Sequence, residues 1–110
     1  MRSIVFGLGI LVIVSTAAPA QDAIIAKGQQ VYADQKCGLC HSIGDKGNKK
    51  GPLDGIGSKL SVADIRLWMT DAKAMTEKTK ATRKPEMKSY NLSKADLDAL
   101  VVYMQSLKKG

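Results

Sequence analysis

Two cysteines and the only histidine of the chain lie within one pentapeptide, Cys37-Gly38-Leu39-Cys40-His41. Two thiols three residues apart can add to the two vinyl groups of one haem, and the histidine that follows can bind the iron as an axial ligand. The spacing suits this chemistry because one turn of chain must hold both thioether bonds and still direct the imidazole at the metal. The pentapeptide therefore predicts one covalently bound haem c.

Three other interpretations of the pentapeptide explain it less well. A thioredoxin-like redox pair follows a strand in a βαβ unit, whereas a helical pattern precedes Cys37. A structural zinc ion normally needs four protein ligands, and Cys37, Cys40 and His41 are the only cysteines and histidine in the sequence. A disulfide between the two cysteines would close a very short loop, remove little chain entropy and leave the histidine unexplained.

The iron needs a second axial ligand, or its sixth position stays open. A single histidine excludes a bis-histidine site, so methionine, lysine or no ligand remains. Met69 and Met104 lie on apolar helical faces and are predicted to be core residues. Met87 is the favoured ligand because Pro85 favours an extended loop that could carry the thioether across the haem face. Met75 and an open iron are the alternatives.

The rest of the sequence predicts helices. Asp22 can cap a first helix from about Ala23 to Gln35. Ser61 to Asp64 and Ser93 to Asp96 are capping boxes, in which a side chain at the helix start accepts a hydrogen bond from a free backbone amide. Each box is followed by apolar residues at helical spacing.

Two segments predict irregular structure. Glycine and proline recur from Gly44 to Gly57, and the segment from Thr76 to Lys84 is polar without apolar periodicity. Alternation of period two, which marks a half-buried strand, is almost absent. The predicted fold class is therefore all-α, with three to four helices and long loops around one haem.

The first 20 residues have the features of an export signal. Arg2 precedes an apolar run from Ile4 to Val14, and Ala18-x-Ala20 fits a cleavage site before Gln21. The sequence thus predicts a signal peptide over residues 1–20, one folded domain over residues 21–110 and a periplasmic or otherwise exported location. An uncleaved anchor is the alternative, although the apolar run is shorter than the roughly 20 residues that span a bilayer.

The chain is basic, with 17 lysines and arginines, 10 acidic residues and a formal charge of +7 that falls to +6 if Arg2 leaves with the signal. Export argues against nucleic acid as a partner, so the charge indicates acidic redox proteins or anionic surfaces, or else only a solvated surface. We expect a monomer that meets membranes only through its partners or an uncleaved signal. Five lysines near the haem segments could steer docking: Lys36, Lys46, Lys49, Lys50 and Lys88.

From about Ala23 to Lys108 the chain resembles the class I cytochromes c, the small single-haem bacterial kind. The resemblance rests on Gly28-x-x-x-Tyr32 before the haem motif, Gly51-Pro52-Leu53 with Gly55-Ile56-Gly57, Met87-x-x-Tyr90, and Val102-Tyr103-Met104-x-x-Leu107. It implies that Pro52 packs beside the haem with its carbonyl orienting His41. It also implies that Gly28 touches Tyr103 where the first and last helices cross.

The sequence departs from the family in two places. Family members often have proline directly after the axial methionine, whereas Lys88 stands there in this chain. The segment from Thr76 to Lys84 has no clear counterpart and receives no role.

The predicted function is one-electron transfer rather than catalysis. Methionine opposite histidine saturates the iron and raises its reduction potential. Ile56, Leu60 and Trp68 are expected to form a desolvated pocket that leaves one haem edge exposed. Trp68 is either an ordinary core aromatic or a contact to a haem propionate. The alternative function is a ligand-binding sensor, or an enzyme subunit with an open iron site.

Overall fold

Helices form most of the structure, a computed structural model that describes residues 4–5, 7–12 and 17–109. The helices are α1 (Ala17–Asp34), α2 (Ile56–Lys59), α3 (Val62–Thr70), α4 (Ala72–Thr79) and α5 (Lys94–Ser106), with a 3-10 turn at Cys37–Leu39. Two short strands, β1 (Ser42–Ile43) and β2 (Lys46–Gly47), pair antiparallel with Ser42 opposite Gly47. The predicted all-α class is confirmed.

The first helix begins earlier than the sequence analysis predicted. It starts at Ala17 rather than near Ala23. Alanine has the highest helix propensity, and Pro19 is tolerated in the first turn because its missing N–H has no helical partner there. Residues 1–3, 6 and 13–16 of the predicted signal lie outside the described residues. Among those described, no helix is both long and apolar enough to span a bilayer.

The serine half of each predicted capping box is present. Ser61 Oγ accepts a hydrogen bond from the Asp64 N–H at 3.1 Å, and Ser93 Oγ accepts one from the Asp96 N–H at 3.2 Å. Because these signals depend on residues only three positions apart, they fix the starts of α3 and α5 without help from the rest of the fold.

The prediction of irregular structure over residues 76–84 is partly wrong, since α4 extends through Thr79. The side chain of Asp71 caps this helix by accepting from the Ala74 N–H at 3.3 Å. Met75 and Thr76 are the buried residues near the middle of this helix. Tertiary burial of this short face stabilises a helix whose own sequence has too few apolar residues to show a period.

The predicted loop over residues 44–57 also contains local order. It includes β2 and the first residues of the one-turn helix α2. Gly44 has φ 59° in the turn between the strands, and Gly55 has φ 77° at the start of α2. Glycine takes such angles without steric cost, so the same residues that predicted a loop form a hairpin and a helix start.

The helices α1 and α5 cross at Gly28 and make the most extensive helix contact in the structure. A Cβ at Gly28 would lie 2.6 Å from Tyr103 Cβ and would overlap the Ala99 carbonyl oxygen. The predicted contact of Gly28 with Tyr103 is therefore confirmed. Tyr32 packs edge-on against Tyr103, with ring centroids 5.9 Å apart. The buried core cluster consists of Val31, Ile65, Met69, Leu100, Val101, Tyr103 and Met104.

Candidate haem site

A cavity of about 700 Å³ opens between α1, the 3-10 turn, the segment around α2, α3, the end of α4, the following loop and α5. Its volume lies within the roughly 300–1,000 Å³ typical of cofactor pockets. All eight residues predicted for the site line it: Cys37, Cys40, His41, Pro52, Ile56, Leu60, Trp68 and Met87. The fold thus brings residues from four separate segments to one pocket.

The 3-10 turn holds the two thiols and the histidine together. Lys36 takes a left-handed conformation, with φ 57° and ψ 37°, which redirects the chain from α1 into the turn. The N–H groups of Cys40 and His41 both donate to the Cys37 carbonyl, at 3.1 and 2.9 Å. Cys37 is half-buried and Cys40 exposed, and the two thiols are unpaired. One tight turn therefore presents all three side chains to the cavity.

The protonation chemistry of Cys37 does not fit a thiol redox pair. Burial raises the pKa of the Cys37 thiol, and the neighbouring Cys40 adds to this effect. A catalytic thiol instead needs a lowered pKa, because the thiolate is the nucleophile. The direction of the Cys37 pKa shift is therefore opposite to that of a catalytic thiol.

A backbone carbonyl orients the His41 ring. Its Nδ1 lies 3.0 Å from the Gly51 oxygen. Since a carbonyl only accepts, Nδ1 carries the proton, and Nε2 of the neutral ring keeps its lone pair for a metal. Burial lowers the pKa of His41 despite this hydrogen bond, and the positive charge of Arg83 lowers it further. The imidazole is therefore held in the neutral form that metal ligation requires.

The carbonyl that orients His41 belongs to Gly51, so the expectation that Pro52 supplies it is wrong. Ser42 explains the difference, because its N–H donates to Gly51 O at 3.1 Å and its carbonyl accepts from Leu53 N–H at 2.8 Å. Pro52 stands between these two hydrogen bonds, where its missing N–H costs nothing. Pro52 still lines the cavity, as predicted.

The methionines divide clearly between the core and the cavity. Met87 is half-buried in the loop between α4 and α5 and lines the cavity. Met75, the alternative ligand, is 3% exposed in α4 and is not among the residues that line it. Met69 and Met104 belong to the core cluster, as predicted, and also border the cavity. Met87 therefore lies in a loop on the cavity wall and is not part of the core cluster.

Hydrogen bonds fasten the loop just after Met87. Ser89 Oγ accepts from the Ala72 N–H at 2.9 Å, at the start of α4. The Tyr90 N–H donates to the Met69 carbonyl of α3 at 2.7 Å. These two contacts hold the loop against the helices without the proline that often follows the methionine in class I cytochromes c.

Tyr32 also lines the cavity, although its sequence pattern did not predict a place in the pocket. Its hydroxyl is buried and has no hydrogen-bond partner among the described residues. Burial, followed by the nearby Cys37, raises its pKa to about 12. Buried hydroxyls without a partner are rare, so this one fits a cavity that a cofactor fills in the working protein. The only sequence signal was its place in Gly28-x-x-x-Tyr32.

The five lysines near the haem segments are all exposed, and two of them, Lys36 and Lys88, lie on the cavity wall. Lys88 Nζ lies 5.2 Å from the centre of the Tyr90 ring, within the range of a cation–π contact. The cavity therefore has an apolar interior and basic side chains on its wall.

Comparison with known proteins agrees with this geometry. The family model for cytochrome c matches residues 25–108. Cytochrome c2 of Blastochloris viridis is 48% identical over 54 residues, which cover 48% of this chain and 39% of that protein. Cytochrome c oxidase subunit 2 of Alkalihalophilus pseudofirmus is 25% identical over 96 residues, which cover 79% of this chain and 27% of that protein.

The chain spans well under half the length of either relative. No solved structure matched it. The likeness to a cytochrome c2 supports the class I assignment. Because the family model covers most of the sequence, and the cavity carries Cys37, Cys40 and His41, this chain belongs to the cytochrome c family, whose members bind haem c and carry electrons.

Proposed function

We propose that the protein is a periplasmic one-electron carrier, with one haem c bound through Cys37 and Cys40 and ligated by His41 and Met87. The observation that carries the proposal is that His41 and Met87 line the same cavity. The His41 ring is oriented by its hydrogen bond to Gly51, and Met87 comes from the loop between α4 and α5. Haem c supplies a reversible change between ferric and ferrous iron. Two protein ligands leave no position for a substrate, and the histidine–methionine pair raises the potential.

The pocket walls set the environment of the iron. Ile56, Leu60 and Trp68 are half-buried residues on the cavity wall. Such side chains exclude water and lower the local dielectric, which disfavours the more positively charged oxidised state. Trp68 contributes an apolar part of this wall, and contact of its ring with a haem propionate is the alternative role.

The location follows from the signal predicted over residues 1–20, with the cytochrome c domain over residues 21–110. Arg2, the apolar run and the Ala18-x-Ala20 ending support export. Cleavage before Gln21 would remove the first four residues of α1, whose crossing point lies further along at Gly28. The packed part of the helix would remain.

A thiol count on the purified protein tests haem attachment. We expect protein expressed with haem-attachment machinery to keep its haem after denaturation and to show no titratable thiol after reduction. The oxidised protein should show the far-red band of methionine-ligated iron. The Cys37→Ser, Cys40→Ser double variant is the control and should release any haem on denaturation. Two titratable thiols in the original protein would refute the covalent site.

A second candidate is a haem domain within a larger oxidase assembly. It is favoured by the likeness to an oxidase subunit 2 over most of this chain. Purification from the native membrane and periplasmic fractions separates the two proposals. A haem-loaded monomer in the periplasmic fraction supports the free carrier, whereas co-purification with terminal oxidase activity supports the subunit.

We propose that the redox partners carry acidic docking surfaces. Exposed lysines near the site, among them Lys36 and Lys88, give this region a positive potential that would steer such partners. We expect the rate of reduction by an acidic flavodoxin to fall by about tenfold between about 10 and 200 mM salt, as screening strengthens.

Stopped-flow absorption measures this rate. Lys88→Gln should weaken the salt dependence, whereas Lys59→Gln, an exposed change outside the cavity wall, should leave it unchanged. A rate that stays flat as salt rises would exclude electrostatic steering.

A further inference from the structure

The exposed side chain of Arg83 reaches from the methionine loop to Gly51, on the wall that holds the histidine. It lies four residues before Met87 and lines the cavity. A Cβ placed on Gly51 would overlap Arg83 Nη1 and lie 3.0 Å from its Cζ. The guanidinium therefore rests directly on Gly51, and its side chain joins the two walls that carry the axial ligands.

Gly51 is the residue whose carbonyl orients His41. A Cβ there would also overlap the Cys40 carbonyl oxygen. Any larger residue would thus exclude the guanidinium from this position. Glycine at position 51 therefore leaves room for the Arg83 guanidinium beside the residue whose carbonyl accepts from His41.

The charge of Arg83 is not neutralised by a carboxylate of the described part of the chain. The four ion pairs found there involve Lys27, Arg66, Lys84 and Lys94 as their cations. Glu86, the nearest acidic residue in sequence, pairs with Lys84 at 2.8 Å. The guanidinium thus brings a net positive charge to the cavity wall beside His41.

Two physical effects of this arrangement act in the same direction. A nearby cation disfavours the oxidised haem, which carries one more positive charge than the reduced haem. A guanidinium beside Gly51 also draws electron density from the carbonyl, which weakens the hydrogen bond that makes a ligating histidine more basic. Both effects favour the reduced state.

We propose that Arg83 is a positioning residue of the haem site, whose guanidinium covers the hydrogen bond between His41 and Gly51 and raises the reduction potential. The inference rests on the proposed ligation by His41. It gives a role to the polar segment after α4, for which the family resemblance provided none.

Spectroelectrochemical titration of the haem-loaded protein at low salt tests the charge effect. We expect Arg83→Gln to lower the equilibrium constant for reduction about threefold to tenfold, where tenfold corresponds to about 59 mV for one electron. Arg83→Lys keeps the charge and should restore most of the potential. Lys78→Gln, an equal charge change at an exposed position off the cavity wall, should shift the constant by less than about twofold.

Solvent exchange of the His41 Nδ1 proton, measured by NMR in the reduced protein, tests the covering role. Both Arg83→Gln and Arg83→Lys should speed the exchange, because neither side chain has a planar guanidinium to shield it. Equal potentials for Arg83→Gln and Lys78→Gln would overturn the proposal. The proposal would also be overturned if the Arg83 variants kept the original His41 proton-exchange rate but had a reduction potential that newly depended on pH. That result would mean that Arg83 pairs with a haem propionate.

The far-red methionine band of the original protein separates this proposal from the proposed function. If the band is present and the Arg83 variants match the control, only the role of Arg83 fails. If the band is absent, the proposed ligation by Met87 fails, and the proton-exchange measurement still decides whether Arg83 covers His41.

Discussion

Met87→Leu is expected to lower the reduction potential by on the order of 0.1–0.3 V and to remove the far-red band of the oxidised protein. Axial ligands are the strongest control a protein has over haem potential, and the thioether favours ferrous iron. Leucine has nearly the same volume as methionine but no sulfur, so the loop keeps its packing while the iron loses a ligand. Spectroelectrochemical titration measures the shift, and the reduced variant should bind carbon monoxide.

Met75→Leu is the matched control for this prediction. Met75 is buried in α4 and lies off the cavity wall, so the exchange should cost less than about 1.5 kcal/mol of stability and leave the potential and the band unchanged. Loss of the band in this control instead would identify Met75 as the ligand. An original protein that lacks the band and binds carbon monoxide would favour the sensor or open-iron enzyme subunit.

Gly28→Ala is expected to lower the free energy of unfolding by about 2–3 kcal/mol, although alanine is the better helix former. Helix propensity alone predicts a gain of up to about 1 kcal/mol. Steric overlap outweighs this gain because the new methyl group would meet Tyr103 Cβ at 2.6 Å and the Ala99 carbonyl, both fixed to the backbone of α5. Denaturant unfolding of the haem-loaded protein, followed by circular dichroism, measures the change.

An exposed position on the same helix supplies the control. Comparing Gln30→Gly with Gln30→Ala measures the difference in helix propensity between glycine and alanine at an exposed position of α1. The Gly28 result minus that difference gives the cost of separating the two helices. A Gly28→Ala protein as stable as the original would show that the crossing is looser than the structure indicates.

Local signals predicted the features of this fold that depend on neighbouring residues. The haem pentapeptide and the caps at Ser61 and Ser93 act over five residues or fewer, and the structure shows the turn and both caps as expected. The crossing at Gly28 involves residues far apart in sequence, and it was predicted from the family resemblance. The local patterns alone would not have shown which residue meets Gly28.

The features that the sequence did not predict depend on tertiary contacts. The carbonyl that orients His41 belongs to Gly51 because Ser42 forms backbone hydrogen bonds with Gly51 and Leu53, on either side of Pro52. No local sequence pattern encodes the register of this pairing. The helix α4 depends on burial of Met75, and the position of Arg83 depends on a glycine in another segment. Predicting any of these three features requires knowing which segments of the chain are in contact in the folded protein.

The first and the last helix of the described chain both contribute walls to the haem cavity. Tyr32 comes from α1, directly before the cysteines, whereas Leu100 and Met104 come from α5. Without α5, the cavity beside the cysteine turn would lack the wall formed by Leu100 and Met104. Packing of α5 against α1 at Gly28 completes this wall, so the helix crossing that stabilises the fold also closes the haem cavity on one side.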